Sequence, residues 1–272
     1  MHPTFVGRSG DVAAPFRCAR IGVAAASAPV FVAILHADER MERTMHQMTA
    51  QAWRVALKAA NRDDAESLCM LGYYVADGVR TRAGRLLATP DLPKAREYLE
   101  RAAVLGSSSA LIKLAELSSN ASDTKAEMRY LRKALRLGDA SAAYNLGICY
   151  RDLGCPRHAF QYYERAAALG ELGAHVQIGL CAMLGHGTAQ DFEVARKHFE
   201  LALDPSGSNI TPRDREDAQY WLALLNLLAL VDRPQRQRAR SWLLRADADG
   251  DHVAAAALLN VIGRKPKPAS RT

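Results

Sequence analysis

The 272-residue chain has little of what would hold a small cross-linked or β-rich domain together. Its five cysteines, Cys18, Cys69, Cys149, Cys155 and Cys181, are odd in number and show no paired spacing, which argues against a disulfide framework. Cys149 and Cys181 lie 32 residues apart and read as small buried hydrophobes, and unpaired thiols point to a reducing compartment. β-Branched residues are sparse for a sheet protein, glycine and proline are scattered singly, and aromatics make up 7%. Such a chain favours helices packed through Ala and Leu.

No apolar run is long enough to span a bilayer. The segment 21–35, IGVAAASAPVFVAIL, has 15 residues behind Arg17 and Arg20, and YWLALLNLLALV at 220–231 is shorter and interrupted by Asn226. Both fall short of the roughly 20 apolar residues a spanning helix needs. The first run has the shape of a secretory h-region, but Pro29 interrupts it and Leu35 occupies the −3 site of the best cleavage point, after Ala37. Four readings of residues 1–40 stay open: a secretory signal, an organelle transit peptide, a start placed upstream of Met41, Met45 or Met48, and a plain tail. The cytoplasm is the favoured location, with export or organelle import if residues 1–37 are a targeting segment.

Catalytic and ligand signatures are missing as well. The chain has no HExxH, paired CxxC, GxGxxG, GxxxxGK or GxSxG motif, so no residue can be given a catalytic, cofactor or metal role. His175 and His186 share a helix face but lie eleven residues apart, about 16 Å along a helix, too far to share an ion. His198 reads as a packed core histidine, and His158 and His252 as solvated residues near helix starts.

What is present is repetition. KAREYLERAAVLG (94–106) is followed by AEMRYLRKALRLG (126–138), HAFQYYERAAALG (158–170), VARKHFELALDPS (194–206) and RARSWLLRADADG (238–250), with a worn copy at 49–63. Counting back from Asp63, Gly106, Gly138, Gly170, Ser206 and Gly250, the position eleven back is Ala52, Ala95, Glu127, Ala159, Ala195 and Ala239. Eight back sit Val55, Tyr98, Tyr130, Tyr162, His198 and Trp242, and four back is always alanine. These offsets define one face of a helix, called helix B, and place the Tyr/Trp series in the core.

Counting forward gives helix A. Four on sit Ser67, Ala110, Ala142, Ala174 and Ala254; eight on sit Leu71, Leu114, Leu146, Ile178 and Leu258; nine on sit Gly72, Ala115, Gly147, Gly179 and Leu259. Behind an insertion after Ser206, Ala218, Leu222 and Ala223 keep the same spacing. Small residues beside a leucine let helix backbones approach closely. The anchor glycines suit the left-handed residue that commonly closes a helix.

The pattern predicts twelve helices: a leading helix B at about 46–62, five A/B pairs (64–105, 107–137, 139–169, 171–205 and 212–249) and a trailing helix A at 251–262. Loops 78–92 and 204–213 interrupt the array, and Thr211, Pro212 and Asp214 mark a helix start. Residues 1–45 form an N-terminal segment, 46–262 the repeat domain, and 263–272 a basic, proline-rich tail. The architecture is an all-α, right-handed superhelical solenoid of stacked antiparallel hairpins.

The pattern A-x-x-x-LG-x-x-Y followed by KA-x-x-(Y/W)-x-x-x-AA-x-x-G resembles the Sel-one-like repeat (SLR) family, a relative of the tetratricopeptide repeat. Ala142, Leu146, Gly147 and Tyr150 match the first half; Lys94, Ala95, Tyr98, Ala102, Ala103 and Gly106 match the second. The repeats at 106–138 and 138–170 depart from it by lacking the usual glycines between their two helices, and Glu127, Asp63 and Ser206 replace expected small residues. The resemblance implies a non-catalytic scaffold or adaptor that grips a protein or peptide in a groove lined by helices A. In tetratricopeptide repeats the lining residues are those three before and one, four and five after the Gly/Ala of helix A, which here include Tyr73, Asp77, Glu116, Tyr144, Arg151, Asp152 and Tyr220.

Two other readings remain. The net charge of +7 is concentrated at the ends: five arginines lie within 233–245, followed by Arg264, Lys265, Lys267 and Arg271, whereas 141–210 holds seven acidic against five basic residues. This would suit nucleic acid or an anionic surface, although no base-stacking aromatics accompany it and nucleic acid is not the favoured partner. A hydrolase-like site built from loops 78–92 and 204–213 is the other. The sequence does not indicate an oligomeric state.

Overall fold

The computed structural model describes residues 49–81, 84–204, 210–228, 235–250 and 252–263. The segments at 1–48 and 264–272, with the targeting and basic-tail readings, lie outside the described residues. Among the described residues twelve α-helices follow one another: α1 (Ala50–Ala60), α2 (Ala65–Asp77), α3 (Leu92–Val104), α4 (Ser108–Asn120), α5 (Thr124–Arg136), α6 (Ala140–Asp152), α7 (Pro156–Ala168), α8 (Leu172–Leu184), α9 (Phe192–Ala202), α10 (Pro212–Leu227), α11 (Arg236–Ala246) and α12 (Val253–Gly263). Even-numbered helices are helices A and odd-numbered ones helices B. Helices α2, α4, α6, α8 and α10 each pack most extensively on the B that follows, and each B packs less extensively on the next A, so the hairpins stack in chain order.

The turns between hairpins explain why the repeat is legible. Leu137 ends α5, Gly138 takes φ 85°, and Asp139 caps α6 by accepting from the backbone N–H of Ala142 at 3.0 Å. A left-handed residue followed by an Asp or Ser cap closes one helix and opens the next with few unpaired backbone groups. Ser107 and Asp64 cap α4 and α2 in the same way, and Thr211 caps α10 with Pro212 at the first helical position. Within hairpins, Gly154 with φ 70° serves the α6–α7 turn, and Ser122 takes φ 59° between α4 and α5. Of the two repeats expected to lack a glycine between their helices, only the one with the α4–α5 turn does; the expectation for the 138–170 repeat is corrected.

The core runs along the A/B interfaces, and it corrects the expected helix B face. The aromatics eight back are mostly half-buried, and Val55 is 60% exposed. The deeply buried positions lie one residue on: Leu99, Leu131, Tyr163, Phe199 and Leu243. Three of these sit against glycines of the preceding helix A. A Cβ on Gly72 would meet Leu99 at 2.4 Å, on Gly147 Tyr163 at 2.4 Å, and on Gly179 Phe199 at 2.5 Å. In α1 the buried pair is Ala56 and Ala60, where Val55 and Ala59 were expected.

Loop 78–92 contains a short antiparallel pairing of β1 (Val79–Arg80) with β2 (Leu86–Ala88). The helical periodicity does not reach this segment, and the strand pairing adds to the expected loop. Its β1 residue Val79 is fully buried, which pins the excursion to the stack. Among the described residues no helix is long and apolar enough to cross a membrane.

Candidate binding groove

Helices α2 and α4 touch directly, as do α8 and α10. In a curved stack the layer with the shorter arc brings its alternate members together, so this contact marks the A helices as the inner wall. Four rows of residues run along that wall, at fixed offsets from the Gly/Ala of each helix A.

The row three before, Cys69, Ile112, Tyr144, Val176 and Tyr220, is buried except for the half-buried Tyr220. Tyr144, expected on the groove, is 6% exposed with its ring centroid 5.8 Å from that of Tyr163; it packs its own hairpin. Tyr220 lies between Trp221 and His252, each with ring centroid at 5.1 Å. Tyr144 meets Tyr163 across the α6–α7 interface of its own hairpin, and that contact takes its ring into the core.

The row one after, Tyr73, Glu116, Ile148, Leu180 and Leu224, is half-buried throughout. Tyr73 and Glu116 come together through Lys113. The Lys113 side chain is buried, its Nζ donates to Glu116 Oε1 at 2.9 Å and lies 5.0 Å from the Tyr73 ring centroid. The Tyr73 hydroxyl donates to the Ser109 carbonyl at 3.4 Å. Burial, with Cys69, Glu116 and Asp139 adding to it, pushes the Tyr73 phenol well above its ordinary range. Lys113 escaped sequence reasoning, although its i,i+3 spacing from Glu116 was a usable signal.

The row five after, Asp77, Asn120, Asp152, Leu184 and Leu228, is exposed throughout. Asp152 pairs with Arg151 of the four-after row at 2.9 Å. Leu184 and Leu228 are 53% and 61% exposed. The row thus changes from polar at α2, α4 and α6 to leucine at α8 and α10. The polar and aromatic candidates leave out this apolar half, although the same offsets point to it.

The described residues of loops 78–92 and 204–213 do not form a shared site. The first lies inside the α2–α3 hairpin and the second separates the α8–α9 and α10–α11 hairpins, so three whole hairpins stand between them. Beside the second, a cleft of about 430 Å³ is lined by residues including Asp204, Arg215, Gln219, Trp242 and Arg245. The Arg245 guanidinium lies over Trp242 at 5.0 Å. Arg238, Arg240 and Arg245 of α11 are exposed, whereas Arg233 lies outside the described residues.

Sel1 repeat models match residues 65–107, 140–171, 173–204 and 207–251. The α4–α5 hairpin, with its glycine-free turn, falls between the matches yet has the same architecture. No curated protein matches the chain in sequence. A Sel1 repeat protein from Oxalobacter formigenes superposes with TM-score 0.65 at 21% identity, covering 83% of this chain and 88% of that one. A protective antigen present in uropathogenic Escherichia coli strains, which displays an SLR fold, gives 0.64 at 22% identity and covers 78% of this chain. This chain spans 44% of that antigen's length. The repeat matches cover more than half of the sequence and the fold agrees with them: the chain belongs to the Sel1 repeat family, whose members are generally non-catalytic protein-interaction scaffolds.

Proposed function

We propose that the chain holds an extended segment of a partner protein along its A-helix wall, with the polar end of the segment over α2–α6 and an apolar side chain seated on Leu184 and Leu228. The carrying observation is the exposed row that turns from Asp77, Asn120 and Asp152 to two leucines on helices that touch each other. Solenoids use such extended inner surfaces for binding, and exposed leucines on one wall are a gain held for a partner. Fully burying one leucine side chain stabilises by about 1.5–3 kcal/mol, at least about tenfold in affinity.

The test is partner capture with the full chain, comparing the parent with Leu184→Glu and Leu228→Glu. Both residues sit at exposed helix ends, so the variants keep the parent's helical circular dichroism. Loss of the captured partner in both is expected. A partner retained at parental level by both variants removes the apolar half of the wall from the interaction.

A further inference from the structure

Two histidines 23 residues apart meet where α8 packs on α9. Nδ1 of His175 lies 3.0 Å from Nδ1 of His198, with ring centroids 5.2 Å apart and planes inclined by 38°. Both side chains are half-buried, so one edge of the pair reaches solvent. The fold does not require imidazole at either position. Sister hairpins place Tyr98, Tyr130 and Tyr162 in the His198 slot, and Ala143 in the His175 slot.

We propose that His175 and His198 form a two-histidine site for a late first-row divalent cation, with Cu²⁺ or Ni²⁺ the best fit. Two nitrogens held about 2.0–2.1 Å from one ion are about 2.9 Å apart at a right angle and about 3.4 Å apart at a tetrahedral one. The observed 3.0 Å is close to the first, the angle of tetragonal Cu²⁺ and Ni²⁺. To share an ion, the two rings must turn until both Nδ1 lone pairs point at it. Among the described residues no group of three His, Cys, Asp or Glu is placed to hold an ion, so water completes the coordination shell.

The protonation state suits this role. Burial keeps both imidazoles neutral to lower pH than usual, and His175 and Lys197 add to the effect at His198. In the ion-free pair one Nδ1–H donates to the other Nδ1. On binding, that proton moves to Nε2 of the same ring, and each imidazole keeps one proton. The ion then clamps α8 to α9, because the two ligands come together only in the folded hairpin.

The test uses untagged full-length protein. Ni²⁺ is titrated calorimetrically, and Cu²⁺ is followed by electron paramagnetic resonance for coupling to two nitrogens. His175→Ala and His198→Tyr each borrow the residue of a sister hairpin. Each is expected to lose one site, or to weaken it at least about tenfold, and to abolish the Ni²⁺-induced rise in Tm. His158→Ala and His186→Ala are expected to bind as the parent does. Variants with parental circular dichroism that bind Ni²⁺ with parental stoichiometry and affinity would overturn the site, because the ion would then rest on other histidines. If His198→Tyr fails to fold, His175→Ala alone decides.

Discussion

A Cβ added at Gly147 would lie 2.4 and 2.5 Å from two ring carbons of Tyr163, and the ring has no room to retreat because Tyr163 is fully buried. Gly147→Ala gains about 1 kcal/mol in helix propensity but overpacks an interface, which typically costs about 1–3 kcal/mol. The expected result is a lower Tm. Adding Tyr163→Leu recreates the Ala115/Leu131 pairing of the preceding repeat, and the double variant should recover much of the loss, a non-additivity that a double-mutant cycle measures. Equal Tm values for the single and double variants would dissolve the pairing. Glu127 is a second residue-scale case. It stands where other B helices bury Ala95, Ala159, Ala195 and Ala239, and burial raises its carboxyl despite bonds to Cys149 and Ser119. Burial, with Glu127 adding to it, pushes the Cys149 thiol up to about 12. A carboxyl whose pKa is raised on folding contributes stability below its unfolded pKa and loses it as pH rises through the folded one. Glu127→Ala should therefore be more stable than the parent at pH 7, with the gap narrowing toward pH 4, as read from urea midpoints at both values.

Within the α8–α9 hairpin, two histidines set a pH dependence of their own. Both His175 and His198 titrate lower in the fold than in the open chain. The open chain thus binds protons more readily, and stability is fully present above the unfolded pKa of about 6.5. It falls as the pH drops below that value and levels off once the folded pKa is passed. Replacing both residues, as His175→Ala/His198→Tyr, should flatten the midpoint-versus-pH curve in this window; an unchanged slope would assign the dependence elsewhere. The same hairpins show what periodicity could and could not reveal. Stripes at eleven, eight and four back and at eleven, seven and four back both follow helical spacing, so the repeat alone could not choose between Tyr162 and Tyr163 as the buried ring. The choice depends on which residue faces Gly147 across the interface, and that fact belongs to two helices together. The α-helical hairpins, their turns and the Thr211 cap were legible because local chemistry sets them. The His175–His198 meeting was not, since it depends on the rotation of α8 against α9. Nor was the burial of Tyr144, because it depends on the contact with Tyr163 across the α6–α7 interface.

Across the whole molecule, stability should decay from the middle outward. Among the described residues the extensive contacts of each hairpin are with its neighbours, so an array behaves as a chain of local stabilities joined by interface terms. Helices α1 and α12 have a described neighbour on one side only, whereas α5 to α8 are flanked on both and contain the fully buried Leu131, Leu146 and Tyr163. Native-state hydrogen exchange should find the strongest protection in α5–α8 and the weakest in α1 and α12. Gly147→Ala then becomes a probe of coupling as well as of packing. If interfaces are nearest-neighbour, it should lower protection in α5 to α8 and leave α11 and α12 at their parental rates. An equal loss in all twelve helices would mean that the stack opens as one unit. In that case a partner lying along the A-helix wall would gain no freedom from local opening, and its affinity would follow the global stability of the array.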